Sequence, residues 1–240
     1  MLVEVCCNSF ESALNAEQAG ADRIELCSEL GVGGITPSYG LIQQVKEQLS
    51  IPIRVLIRPR SGHFSYTDYE LSVMVNDINM CKILKVAGVV SGSLKEDHAL
   101  NEKHIEVLKE AAGEMKFTFH RAFDWLSNQS VAIQQLEKLG IDCILSSGKE
   151  VSAEKGIEQL KTLQQKTNTI TLMPGGGVNP ENATKFKDAG FKMIHLSGTS
   201  FKNKISMVKK ISMNSHKHLL EHQVAVTNED IIRQIVEIVK

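Results

Sequence analysis

Two short segments carry the same chemical signature. Glu4-Val5-Cys6 and Glu25-Leu26-Cys27 each place a carboxylate and a thiol two residues apart. In an extended strand this puts both on one face. If the two strands are neighbours in a shared register, about 4.8 Å apart, the two thiols meet. Soft thiolates select Cu(I) or zinc over hard cations, and a two-thiolate site suits Cu(I) better than four-coordinate zinc. The plainer reading makes Cys6 and Cys27 small buried fillers. Glu4 and Glu25 are harder to set aside, because an ionised group in an apolar strand is costly to bury without a partner.

Partners are available at other strand ends. Ile53–Ile57 runs into Arg58-Pro59-Arg60, and Lys116–His120 runs into Arg121 and Asp124. One reading makes His120 and Glu25 a proton-transfer pair beside Glu4, with Arg58 fixing an anionic group. The carboxylates, if ionised, would then raise the pKa of His120. The alternative is a salt-bridge layer that only fills space. Asp124 either orients His120 or Arg121 or caps a turn. Gly175-Gly176-Gly177 and Ser197-Gly198 expose backbone N–H groups after two successive strands, where an oxyanion can be cradled. His216, His218 and His222 form an H-x-H-x3-H cluster in a polar stretch, read as surface histidines, and His195 reads as a satisfied core residue.

The elements that must position these groups recur along the chain. Eight β-like runs begin at Leu2, Arg23, Ile53, Gly88, Lys116, Cys143, Thr169 and Lys192. Helical stretches separate them. One is expected to start at Thr36-Pro37, one at a Thr67/Glu70 capping box, one over Val151–Gln165 and one at Asn179-Pro180. Eight βα units imply a TIM (β/α)8 barrel, read here as one domain over residues 1–240. A doubly wound open sheet is the runner-up, but the first turn, Cys7-Asn8-Ser9, lacks the glycines that fold uses. Residues 201–226 are expected to form an irregular excursion. Residues 227–240 supply the last helix, with Thr227 and Asp230 as a capping box.

Composition narrows the function classes. The 240 residues carry 27 Lys and Arg against 28 Asp and Glu, a net charge of −1, so no global field favours nucleic acid or an anionic membrane. Five cysteines with no secretory leader argue for a reducing compartment, and no apolar run approaches a membrane span, so the default is cytoplasmic.

Taken in order, VEVCCNSFESALNAEQAGADRIELC, GGITPSYG, IRPRSGHFSY, FTFHRAFD, LSSG and GGGV make the chain resemble the CutC family, named for copper homeostasis. The resemblance runs from Leu2 to about Gly198. It implies a cytoplasmic TIM barrel, a homo-oligomer (dimer or tetramer), with Cys6 and Cys27 matching cysteines suggested as Cu(I) ligands. Glu4, Glu25, Arg58, Arg60, His120, Arg121 and Asp124 match the family's polar barrel mouth. The histidine cluster is not part of that pattern. Two functional expectations stand: copper homeostasis through Cu(I) binding, or an enzyme acting by acid/base chemistry on a small anionic or phosphorylated metabolite.

Overall fold

A computed structural model describes residues 1–203, 211, 213 and 221–240. Its centre is a ring of short parallel strands: β1 (Leu2–Cys7), β2 (Arg23–Leu26), β3 (Ile53–Leu56), β4 (Gly88–Ser91), β5 (Lys116–Phe119), β6 (Cys143–Ser146), β7 (Thr171–Pro174) and β8 (Met193–Leu196). The hydrogen-bonded order is β7-β6-β5-β4-β3-β2-β1-β8. A single bridge between Gly175 and His195, among the described residues, joins the two ends. This is the TIM barrel that the alternating units imply.

Helices α1 (Phe10–Gln18), α2 (Tyr39–Gln48), α3 (Asp68–Ile83), α4 (Glu102–Ala112), α5 (Gln129–Lys138), α6 (Ile157–Gln164), α7 (Ala183–Asp188) and α8 (Glu229–Val239) follow the strands. Each strand presents an apolar outer face to them. Val3, Val5 and Cys7 of β1, and Phe117 and Phe119 of β5, share one continuous core with helix residues such as Ala13, Val45, Ile78 and Ile235. The alternate residues face the barrel interior, so Glu4, Arg23, Glu25, Arg54, Thr118 and Cys143 are all buried. No helix among the described residues is long and apolar enough to cross a membrane.

Local chemistry moves several boundaries from where the sequence puts them. Thr36 does not cap α2. Its N–H donates to the Arg58 carbonyl and its hydroxyl accepts from the Arg58 N–H, which ties the loop to the end of β3. Ser38 caps instead, accepting from Leu41 N. The Thr67/Glu70 capping box on α3 is present in full. α6 starts at Ile157 rather than Val151, because its cap, Gly156, lies against the turn after β6: a Cβ there would come 2.0 Å from the Ser147 carbonyl oxygen. α7 starts three residues after Pro180, since Asn179 and Asn182 close a turn by accepting from each other's backbone N–H.

The expected excursion after β8 contains an antiparallel hairpin, β9 (Thr199–Asn203) with β10 (Gln223–Thr227). Thr227 therefore ends a strand and does not cap a helix. Its hydroxyl donates to the Ser197 carbonyl, and Asn228 caps α8 by accepting from Asp230 N and Ile231 N. His216 and His218 lie outside the described residues, and His222 precedes β10.

Candidate functional site at the barrel mouth

The interior is polar in layers, and the β1–β2 register sets which group meets which. Glu4 is level with Arg23, and Cys6 is level with Glu25. Glu4 is fully buried and doubly held: Arg23 Nε donates to Oε2, and His195 Nδ1 lies 2.9 Å from Oε1. Burial alone would raise its pKa, but the His195 hydrogen bond and the Arg23 charge win and bring it down to about 2. Glu25, one level higher, is paired among the described residues only with His195 Nε2, at 3.4 Å. Burial raises it to about 7; His195 opposes that rise and the Glu4 charge adds to it. Burial would depress His195 as well, yet the Glu4 hydrogen bond and the two carboxylate charges raise it. The result is a buried chain, Arg23–Glu4–His195–Glu25.

The expected partners of these carboxylates, Arg58, His120 and Arg121, form no hydrogen bond or ion pair with either among the described residues; Arg23 and His195 take that place. His195 is thus buried and satisfied, as expected, and it also reaches Glu25 and the cavity wall. The signal for it is the alternation Met193, His195, Ser197, which puts the imidazole on the inner face. The same alternation links Arg23 with Glu25 and Cys27.

The thiols meet, although not in the expected shared register. Cys6 and Cys27 are offset by two residues, and their Sγ atoms approach diagonally to 3.6 Å. The hydrogen bond with Cys27, then burial, pushes the Cys6 thiol well above its usual pKa. Leu30, Leu56 and Val90 surround the pair. Gly34 lies over it at φ +84, and a Cβ there would come 2.7 Å from Leu56 Cδ2 and 3.7 Å from Cys27 Sγ, so only glycine lets the loop pass. Cys7 faces the outer core, while Cys143 packs inside the barrel.

His120 is the reverse of expectation. No carboxylate raises it; burial and then the Arg58 charge push its pKa down to about 3. Its Nδ1 accepts from the Ala122 N–H at 3.2 Å, so the ring proton sits on Nε2, which has no hydrogen-bond partner among the described residues. Phe64 packs on the ring at 4.9 Å, and Gly92 leaves it room.

The arginines divide by role. Arg58 donates to the carbonyls of Val32, Gly34 and Gly62, clamping the loop above the thiols. Arg60 pairs with Glu70 on the outside. Arg121 bonds Ser147 at 2.6 Å and Asp124 at 3.0 Å and stays half-exposed, with its guanidinium against Gly176. Asp124 also accepts from Ser146 Oγ and Ser147 N, so it organises the loop after β6.

A cavity of about 510 Å³ joins these groups, a size that fits a small ligand. Cys6, Glu25, Arg58, His120, Arg121, Gly176, Gly177 and Ser197 line it, together with His195. Glu4 and Cys27 sit behind that wall. Gly175 and Gly198 do not reach it: a Cβ on either would come 2.5 Å from a packed side chain, Leu145 or Ile232, so both serve close packing.

A family model described as the CutC family matches residues 1–200. A family protein CutC of Proteus mirabilis is 39% identical over 232 residues, covering 96% of this chain and 93% of that protein. Another, from Photorhabdus laumondii, is 43% identical over 197 residues, 82% of this chain and 79% of that protein. Among solved structures, one from Streptococcus agalactiae, provisionally described as the copper homeostasis protein CutC, superimposes with a TM-score of 0.79 at 35% identity, covering 82% of this chain and 98% of that one. A thiamine phosphate pyrophosphorylase from Pyrococcus furiosus (TM-score 0.60, 16% identity, 99% of this chain and 95% of that one) shares the fold alone. With the family model matched over residues 1–200 and relatives near 40% identity along most of its length, this chain belongs to the CutC family.

Proposed function

We propose that this protein binds and handles Cu(I) in copper homeostasis, with Cys6 and Cys27 as its ligands. The observation that carries the reading is the 3.6 Å approach of two unoxidised thiols inside an apolar shell. Soft sulfur ligands away from water favour Cu(I) over the harder divalent ions. The Streptococcus agalactiae relative, described in terms of copper homeostasis, supports the same direction. Binding displaces thiol protons, so affinity rises with pH. The reading includes a reducing cytoplasmic setting, a single domain and a homo-oligomer, dimer or tetramer. Exposed Tyr69, Val73 and Ile83 on α3 offer apolar surface for such association.

Competition against a chromogenic Cu(I) chelator under reductant tests the thiol pair. The wild type should hold Cu(I), and Cys27→Ser should weaken it by more than the roughly 10–100-fold that loss of an outer-shell partner costs. Equal affinity in the two proteins overturns the site.

A second reading, an enzyme acting on a small anionic metabolite, is favoured by the buried, unpartnered Nε2–H of His120 on the cavity wall. A buried donor without an acceptor costs about 1–3 kcal/mol, which a ligand oxygen would recover. Gly176, Gly177, Ser197 and Arg121 would cradle the anionic group, and Glu25 would move the proton. Inorganic phosphate should raise the melting temperature of the wild type and not of Arg121→Gln. No shift in the wild type counts against this reading.

A further inference from the structure

Cys6 has two chemically different neighbourhoods. On one side lies Cys27 in its apolar shell. On the other, the ligand atoms of Cys6, Glu25 and His195 all lie within 4.8 Å of one another. We infer that Cys6, Glu25 and His195 form a second site, sharing Cys6 with the thiol pair, for a divalent cation of borderline softness, of the Zn(II) class, with an open coordination position facing the cavity.

The donor set argues for that class. One thiolate, one carboxylate and one imidazole match the sulfur, oxygen and nitrogen ligands zinc takes. Magnesium and calcium prefer all-oxygen shells, and Cu(I) prefers soft sulfur. The number argues for an open site, since three protein ligands with a fourth position left for water or a ligand is the pattern of catalytic zinc. All three residues line the cavity, so that fourth position has somewhere to open.

The surroundings supply what a ligating histidine needs. Glu4 Oε1 lies 2.9 Å from His195 Nδ1, which fixes the proton on that nitrogen and leaves Nε2 to face Glu25. Arg23 holds Glu4 in turn. A carboxylate behind a histidine is the usual outer-shell support of a metal ligand. The backbone adds rigidity, because His195 is bridged to Gly175 and Cys6 is paired level with Glu25. Binding releases the Cys6 thiol proton to solvent. Since Cys6 belongs to both sites, the divalent ion and Cu(I) exclude one another. The divalent site depends on neither reading above.

Co(II), added alone to the full-length protein, tests it. The wild type should develop the visible bands of tetrahedral cobalt and a near-ultraviolet thiolate-to-cobalt band, both bleached by Zn(II). Cys6→Ser should remove the thiolate band, and Glu25→Gln and His195→Gln should each weaken binding. Glu4→Gln should weaken it by about 10–100-fold through the lost outer-shell contact. Cys27→Ser should leave the spectrum unchanged while weakening Cu(I) capture, so failure of either site is seen without the other. No cobalt spectrum in the wild type overturns the inference, as does a spectrum that survives Glu25→Gln or is lost with Cys27→Ser. Thermal melts check that each variant folds, and the shape-conserving Glu25→Gln decides the matter if His195→Gln does not.

Discussion

His120 and His195 stand on the wall of one cavity, yet their pKa values are shifted in opposite directions, His120 down and His195 up. The reason is depth and company. His195 sits between two carboxylates, whereas His120 sits among Phe64, Phe119 and the Arg58 charge. The expectation that carboxylates raise His120 treated the strand ends as one flat ring. It could not know that the β1–β2 register buries Glu4 a level down with Arg23. A pH consequence follows for His120. Its folded pKa of about 3 lies below the ordinary 6.5, so the unfolded chain takes up its proton first as pH falls. Stability from this residue is intact above pH 6.5 and is lost as pH drops toward 3, with a slope of up to about 1.4 kcal/mol per pH unit. Urea melts between pH 7 and 4 should therefore be steeper in pH for the wild type than for His120→Gln. Parallel curves would show that His120 protonates freely in the folded protein.

At the scale of elements, the strands were legible because their alternation is strict. Val3, Val5 and Cys7 point to the helices, and Glu4 and Cys6 point inward. The charges mid-strand, which look anomalous in an apolar run, are the inner face of a barrel. What the sequence could not carry is register, and a two-residue slip along β2 decides that Glu25, not Cys27, lies level with Cys6. Helix starts were legible where a side chain caps in place, as with Thr67 and Glu70. They were missed where a distant backbone intervenes, as Ser147 does at Gly156 or Arg58 at Thr36. The β9–β10 hairpin was missed because its two strands are only five residues long and far apart in sequence. Arg58 shows the same limit: its type suggests an anion ligand, but its carbonyl partners come from loops that only the fold brings together.

At the scale of the whole molecule, the hairpin ties the end of the chain to its beginning. Asn8 and Asn15 donate to the carbonyls of Ala225 and Thr227, and Thr227 N donates to Ser12 Oγ. The paired strands end at Asn203 opposite Gln223. Replacing residues 204–222 by Asn-Gly, a two-residue hairpin turn, should preserve folding and both metal affinities. A loss of Cu(I) or Co(II) affinity would assign the His216, His218 and His222 cluster a part in metal capture that the barrel mouth does not require.

The joint between β7 and β8 gives the mouth a mechanical side. Among the described residues, seven of the eight neighbouring strand pairs in the ring are laced by ladders, whereas this one is pinned by a single bridge, and the pin is His195. An ion gripped by His195 together with Cys6 and Glu25 would tie β8 across β1 to β2, right beside that weak joint. Cargo would then steady the His195 side of the seam, and a barrel emptied of it would leave that pin freer to move against β7.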